Sequence, residues 1–501
     1  MMKNRIVKDT VLLTIMQLIL DSASLVLNGF ITRQLGASAI GIFSLMGSFL
    51  GLAGIISNGN AFLCTSRLIS EELGKTNGNP NRILFHGIKL CTMLSLGVSA
   101  VLIVAAKPLG VRFFGGEEGV FLVRLMPFAL ICGAVSSCFK GYFNACRKSS
   151  YVAFTDAGEF LARAAVIVLM TLFYGKDNVC GIMIASIITG NVLSLLAMLI
   201  LYSRKRINAA GTGTITLRQY ISFALPIMGG GILTSVLSST NDALVPFCLK
   251  QYGDSTEQAL ALFGIFEAIV IPAIFFPSVV LCSLSGIIVT ESARAKAAGS
   301  QQRIRSITSR LIRYTLIYGI FASAVLIRFG KPIGELCGGG ELGGTMISAI
   351  APVVPFIYME IVLEAMIKGM GLQGFSSVNY LAEYVIRISI VLVAVPQIGF
   401  AGIALSYYAS NIFGNIMRLV KLLRYTGVRF RVFSMVISPV MYAFFTMSAV
   451  ELLFRVVYAS ADTVVSMVIF FIIWLILYGG VYILSHILTS VEKMEKTVVQ
   501  N

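Results

Sequence analysis

Lys107-Pro108-Leu109-Gly110-Val111-Arg112-Phe113-Phe114-Gly115-Gly116-Glu117-Glu118-Gly119 recurs without gaps as Lys331-Pro332-Ile333-Gly334-Glu335-Leu336-Cys337-Gly338-Gly339-Gly340-Glu341-Leu342-Gly343, 224 positions later. Seven of the thirteen positions are identical. The same offset carries Glu159-Phe160-Leu161-Ala162-Arg163 onto Glu383-Tyr384-Val385-Ile386-Arg387. An offset one residue shorter carries Gly41-Ile42-Phe43 onto Gly264-Ile265-Phe266. One Gly-rich match means little, but three at nearly one spacing indicate a duplicated polypeptide. In a membrane protein such a duplication usually gives two half-transporters with a substrate path between them.

The chain is of that kind. Its residues are 57% hydrophobic and 12% charged, and its mean hydropathy is +0.88, whereas a soluble domain carries about 25% charged residues. Thr463 to Ser485 is 23 residues without a charge, and a bilayer-crossing helix needs about 20. Helices are the default spanning element because each satisfies its own backbone. The expected fold is an all-α polytopic membrane protein with about fourteen transmembrane helices. Six fall in 1–202 and six in 219–425, joined by a basic, Gly/Thr-rich cytoplasmic linker at 203–218. An even number of crossings makes the two lobes parallel repeats about an axis along the membrane normal. Residues 426–501, with helices 13 and 14 and a tail, fall outside the repeat.

The net charge of +16 is distributed by side. With the amino terminus inside, alternate connections and helix ends collect Lys3, Arg5 and Lys8, then Arg67 to Lys89, then Lys140, Arg147 and Lys148. Arg204 to Arg218, Arg294 to Arg313 and Arg418 to Arg431 continue the series, and far fewer cations fall on the other side. This is the positive-inside pattern. It places both termini in the cytoplasm and turns the basic surface toward anionic lipids rather than nucleic acid. Lys3, Arg5 and Lys8 before an apolar run imitate a cleavable leader, but the duplication needs residues 10–31 as the partner of the helix at 219–247. Nine cysteines without a Cys-x-x-Cys pair, and two histidines, point to neither a disulfide framework nor a zinc site. The repeated Gly-rich phrases read as external turns, since the Walker pattern is absent.

Ionised side chains in a span cost about 2.5–3.5 kcal/mol each even on the lenient insertion scale. The candidates are Asp21, Glu159, Arg163, Asp242, Glu267, Glu360, Glu364, Lys368, Glu383 and Arg387. Glu159/Arg163 and Glu383/Arg387 have the favoured i, i+4 order and can neutralise themselves. Either they pin structure, or they face each other across a pseudo-symmetric cavity. Glu360, Glu364 and Lys368 form one stripe that must face water or another helix. Asp21, Asp242 and Glu267 have no cation four residues away, so each is a functional site or a neutral, hydrogen-bonded acid. Pro226 with Gly229 to Gly231, and Pro272 with Pro277, interrupt two spans, as static kinks or as site-forming breaks.

Leu35-Gly36-Ala37-Ser38-Ala39-Ile40-Gly41-Ile42-Phe43-Ser44, Ser70-Glu71-Glu72-Leu73-Gly74-Lys75 and Lys140-Gly141-Tyr142-Phe143 resemble flippases of the stage V sporulation protein B and polysaccharide-exporter type. So do Asn241-Asp242-Ala243-Leu244-Val245-Pro246, Phe276-Pro277-Ser278-Val279-Val280, Ser283-Leu284-Ser285 and Glu291-Ser292-Ala293. These belong to the multidrug/oligosaccharidyl-lipid/polysaccharide superfamily, and the resemblance covers nearly the whole chain. It implies alternating access that moves a lipid-linked saccharide or peptidoglycan precursor from the inner to the outer leaflet of a bacterial cytoplasmic membrane. No cofactor is implied beyond a coupling Na⁺ or H⁺, which the resemblance assigns to Asp242, Asn379 and Glu383. Relatives line the cavity with arginines in helices 1, 2 and 8, but here Arg33 and Arg67 lie at helix ends and helix 8 carries Glu267.

Two functions follow. A lipid-linked saccharide flippase would use Arg163 and Arg387 to hold an anionic headgroup, and its partners would be the substrate and membrane lipids, with the protein a monomer. A Na⁺- or H⁺-coupled cation antiporter of the same superfamily would use Asp21, Glu267, Glu360 and Glu364. Asn28 stands near the place where such antiporters carry an Asp, which counts against that reading. An integral-membrane enzyme lacks support, with no long loop bearing paired carboxylates and no nucleotide-binding motif.

Overall fold

The structure, a computed structural model, describes residues 2–73, 78–113, 117–174, 178–207, 215–457 and 464–499. Residues 208–214 of the expected linker, Phe114 to Gly116 of the first repeated phrase, Lys75 and Lys176 lie outside the described residues, as do the side chains of Lys3, Arg5, Lys8 and Arg112. Among the described residues the regular elements are all helical. Fourteen helices among these residues have spanning length: α1 (Met2–Leu35), α2 (Ala37–Glu72), α3 (Pro80–Val104), α4 (Glu117–Ala145), α5 (Ser149–Tyr174), α6 (Val179–Lys205) and α7 (Leu217–Tyr252) come first. Then follow α8 (Thr256–Ala297), α9 (Gln301–Leu336), α10 (Gly340–Gly369), α11 (Gln373–Ile398), α12 (Phe400–Thr426), α13 (Phe433–Phe454) and α14 (Val464–Val499). Twelve of them are both long and apolar enough to cross a bilayer. The other two, α5 and α12, have 26 and 27 residues. They carry Glu159, Arg163 and Arg418, and both contribute to the charge clusters described below.

Local signals set the helix ends. Asn79 caps α3 by accepting from the amides of Asn81 and Arg82, with Pro80 in the first turn. Thr216 with Gln219 and Ser255 with Gln258 form capping boxes at the starts of α7 and α8. Within α2 the chain turns left-handed at Gly59 (φ 55°) and Asn60 (φ 54°), residue types that tolerate this region. Side chains of α3 then cover carbonyls freed by the break: Cys91 Sγ lies 3.1 Å from Asn58 O and Ser95 Oγ 3.3 Å from Ser57 O.

Pro226 lies inside a continuous α7, so there it interrupts nothing. In α8 the prolines do mark a break: a π turn spans Phe266–Val270 and a 3₁₀ turn Phe276–Ser278. Pro272 has no N–H to give the carbonyl of Ala268, four residues earlier. Asn28 Nδ2 on α1 supplies it at 2.8 Å. The repeated phrases are not wholly turns, which corrects the sequence reading. Lys107 to Phe113 sits in a short helix, Ala106–Phe113, and Lys331 to Leu336 completes α9. Only the Gly-rich part turns, with Gly338 at φ 87° and Gly340 at φ 61°.

Packing divides the chain into two compact units. The first comprises Met1–Val279, Leu336–Gly343 and Tyr384–Ser406; the second comprises Val280–Glu335, Gly344–Glu383 and Tyr407–Asn501. In the first unit α2 and α8 touch backbone to backbone. A Cβ on Gly41 would meet the carbonyl oxygen of Leu260 at 2.0 Å, and one on Gly264 would meet the nitrogen of Gly41 at 2.3 Å. The glycines of the repeated Gly-Ile-Phe phrase therefore meet each other. In the second unit α13 and α14 pack on α9: Phe321 stacks on Tyr478 at 4.8 Å, Trp474 Nε1 donates to Thr446 Oγ1 at 3.0 Å, and Arg328 pairs with Glu451 at 3.0 Å. All nine cysteines are free thiols.

Candidate functional site

Three polar constellations stand inside the apolar scaffold. The first lies in a cavity of about 530 Å³ among α1, α2, α4, α5 and α6. Its wall is mostly small, with Gly47, Gly51, Gly54 and Gly133 giving room and Ser136, Ser137, Asn58, Asn191 and Ser194 giving hydrogen-bonding groups. Three charged side chains line it: Lys140, Glu159 and Arg163. Lys140 Nζ pairs with Glu159 Oε2 at 2.9 Å and with Asp156 Oδ1 at 2.7 Å. Arg163 Nη2 donates to Glu159 Oε1 at 2.5 Å and to Asn191 Oδ1 at 2.8 Å. Asn191 is held in turn by donating to Ala129 O at 2.8 Å. The Nε of Arg163 is buried without a hydrogen-bond partner among the described residues. On the cavity wall two cations therefore face one carboxylate, and one cationic N–H remains to be satisfied. An uncompensated buried donor is costly, and this one is packed against Gly190.

The second constellation surrounds Asp242 on α7. Ser48 Oγ donates to its Oδ2 at 2.7 Å and Asn241 Nδ2 to its Oδ1 at 3.4 Å. Ser239 Oγ closes the group by donating to Ser48 O at 3.1 Å. Glu267, within the π turn of α8, is in electrostatic range of both Asp242 and Arg387. The guanidinium of Arg387 also lies 5.2 Å from the ring centre of Tyr384. A π turn frequently marks a functional position.

The third constellation lies in the second unit, with Arg418 at its centre. This side chain is only 1% exposed. Its Nη1 and Nη2 donate to both oxygens of Glu383 on α11, at 2.5 and 3.0 Å. Nη2 also reaches Glu360 Oε1 at 3.2 Å, and Nε reaches Glu364 Oε2 at 3.4 Å, both on α10. Lys368 Nζ pairs with Glu364 Oε1 at 3.3 Å, and Ser376 Oγ donates to the same oxygen. Asn379 Nδ2 approaches Glu383 Oε1 at 3.5 Å and donates to Gly414 O at 3.2 Å. Three carboxylates thus share one guanidinium with Lys368 at the margin. A bidentate, fully hydrogen-bonded arrangement is what lets such charges stay buried.

The expected stripe of Glu360, Glu364 and Lys368 faces α11 and α12. Of the two i, i+4 pairs, Glu159–Arg163 forms as expected, whereas both oxygens of Glu383 accept from Arg418. Arg387 lies over the Tyr384 ring and within electrostatic range of Asp242 and Glu267. Asp21 accepts from Gln17 Nε2 at 2.8 Å on its own helix; the cavity is lined by Ser24, three residues on. Asn28 serves α8 as the donor to Ala268.

Two residues read as cytoplasmic cations are corrected: Lys140 and Arg418 point inward and neutralise carboxylates. A signal for them exists in the duplication. At the 224-residue offset, Ala185-Ser186-Ile187-Ile188-Thr189-Gly190-Asn191 matches Ala409-Ser410-Asn411-Ile412-Phe413-Gly414-Asn415 at five of seven positions. This sets Ser194 against Arg418 and Lys140 against Glu364, on helices already paired through Glu159 and Glu383.

The sodium ion implied by resemblance at Asp242, Asn379 and Glu383 does not fit the donors around Glu383. A hard cation needs free oxygen lone pairs. Both Glu383 oxygens are taken by a guanidinium, and Asn379 turns its nitrogen toward Oε1. Among the described residues no group of three or more His, Cys, Asp or Glu is placed to hold a metal ion.

Comparison with known proteins extends this picture. The sequence profile of a family described as polysaccharide biosynthesis protein matches residues 6–281. Stage V sporulation protein B of Bacillus subtilis (strain 168) is 20% identical over 421 residues, covering 81% of each chain. Sporulation protein YkvU of the same organism is 21% identical over 399 residues, covering 78% of this chain and 88% of that protein. Among solved structures, lipid II flippase MurJ in an inward closed conformation superposes with a TM-score of 0.71 at 13% identity, over 95% of this chain and 100% of that one. An inward-facing MATE-family multidrug resistance transporter gives 0.62 at 14% identity, over 81% and 96%. The fold is therefore that of the MOP superfamily.

Proposed function

The chain belongs to the polysaccharide biosynthesis protein family, and from that premise we propose that it is an alternating-access flippase for an anionic lipid-linked saccharide, such as a peptidoglycan precursor, in the bacterial cytoplasmic membrane. One observation carries the reading. The cavity is lined by Lys140, Glu159 and Arg163, with the second carboxylate of the cluster, Asp156, paired to Lys140 from outside the lining, and the Nε of Arg163 is buried without a hydrogen-bond partner among the described residues. A phosphate-linked headgroup supplies acceptors in the geometry a guanidinium prefers, and the Ser and Asn lining suits sugar hydroxyls. The acyl chain stays in lipid throughout. The lobes 1–202 and 219–425 rock about the 203–218 linker, and the headgroup crosses as they do.

Proteoliposomes carrying a fluorescent polyprenyl-pyrophosphate sugar inside and an impermeant quencher outside test this. Loss of one charge-assisted hydrogen bond, about 1.5–3 kcal/mol, should slow flipping about 10- to 100-fold in Arg163→Ala. Lys140→Ala should slow it likewise. Wild-type protein that flips no such lipid ends the proposal.

A cation antiporter is the second reading, favoured by the acids Asp242 and Glu267 in mutual range. Its signature is gradient-driven uptake of a cationic dye that Glu267→Gln abolishes, with no flipping by the wild type.

A further inference from the structure

The duplication and the structure together reveal an exchange of charge between equivalent positions. Glu159 and Glu383 are repeat partners on α5 and α11. In the first half the carboxylate receives its cation from α4, where Lys140 sits 2.9 Å away, and α6 contributes the Ser194 hydroxyl. In the second half the position of Lys140 is filled by Glu364 and that of Ser136 by Glu360. There the cation arrives from α12 instead, because Arg418 stands where α6 has Ser194. Each half keeps the acid; the helix that supplies the cation has changed.

We propose that Arg418 is a built-in counter-ion that occupies the cation place at Glu383, so that the second half holds this charge covalently and takes no Na⁺ from solution there. Three features support it. Arg418 is 1% exposed, so the guanidinium resides inside the cluster. It engages both oxygens of Glu383 and one each of Glu360 and Glu364, so its donors are committed to carboxylates. Gly414, one turn before it, gives the room: a Cβ there would fall on the Glu383 carboxylate, 1.1 Å from Oε1. α12 thus approaches α11 closely enough for the guanidinium to bind end-on, through Nη1 and Nη2. Removing the guanidinium, and leaving the serine found at the equivalent place in the first half, recreates an acid cluster that needs a cation.

The test uses the full-length protein in detergent, with unfolding temperature and ²²Na⁺ binding measured in NaCl against choline chloride at equal ionic strength. Wild type should unfold at the same temperature in both salts and bind no Na⁺ that Glu383→Gln removes. Arg418→Ser should unfold at lower temperature and be shifted upward by Na⁺, or by millimolar guanidinium, but not by choline. The double variant Arg418→Ser/Glu383→Gln should lose that shift. Saturable Na⁺ binding by the wild type that Glu383→Gln abolishes overturns the proposal. So does a folded Arg418→Ser without a Na⁺-specific shift. Should Arg418→Ser fail to fold, the wild-type and Glu383→Gln binding measurements decide alone. None of these readouts involves a transported substrate, so their failure leaves the flippase reading untouched, and the reverse also holds.

Discussion

Gly414 shows how much one hydrogen atom can decide. Its repeat partner Gly190 also lies under a charged side chain, but the two neighbours differ. A Cβ at Gly190 would meet Arg163 Cγ at 2.6 Å, in a long side chain that faces a cavity and has somewhere to move. A Cβ at Gly414 would land on the buried Glu383 carboxylate and push it from Arg418. Breaking a buried pair costs about 3–5 kcal/mol. Gly414→Ala should therefore lower the unfolding temperature in detergent far more than Gly190→Ala; equal effects would show that Glu383 is free to move. At this scale Glu159, Glu360, Glu364 and Glu383 were legible as acids within spans, because an acid in an apolar span stands out, whereas Asp156, nearer a helix start, was not singled out. The sequence misassigned Lys140 and Arg418, because a cation near a helix end looks the same whether it points out to solvent or in to an acid.

At the scale of the element, α8 is set by a residue on another helix. Pro272 withholds an N–H from Ala268 O, and Asn28 on α1 provides one. Asn28→Leu should cost about 1–3 kcal/mol, the penalty of an unsatisfied buried carbonyl. Pro272→Ala restores an amide at the right spacing, so the double variant should be more stable than the two single effects added together. Strict additivity in thermal unfolding would mean the two residues do not serve one carbonyl. The proline was legible as a break. Its partner was not, since 240 residues separate Asn28 from Ala268. The twin Gly-Ile-Phe phrases likewise gave evidence of duplication but not that Gly41 and Gly264 touch, which needs α2 and α8 to cross at those residues.

For the whole molecule, the distribution of basic residues should fix orientation. In a background without its native cysteines, a cysteine placed at Ser300 should react with an impermeant maleimide only from the cytoplasmic side, and one at Asp254 only from outside. The opposite pattern would invert the topology read from Lys and Arg. The membrane class and the all-helical, many-spanning fold were determined by sequence alone. Hydropathy and charge bias act residue by residue against a bilayer, so they need no tertiary contact to be read. Which acids meet which cations was decided only by the tertiary structure. An ion pair depends on the approach and rotation of two helices far apart in the chain, and sequence spacing along one helix carries no information about its neighbour. The swap from Lys140 to Arg418 as the cation opposite a conserved-by-duplication glutamate is the clearest instance: both repeats spell the acid in the same place, and only packing reveals from which helix each takes its counter-charge.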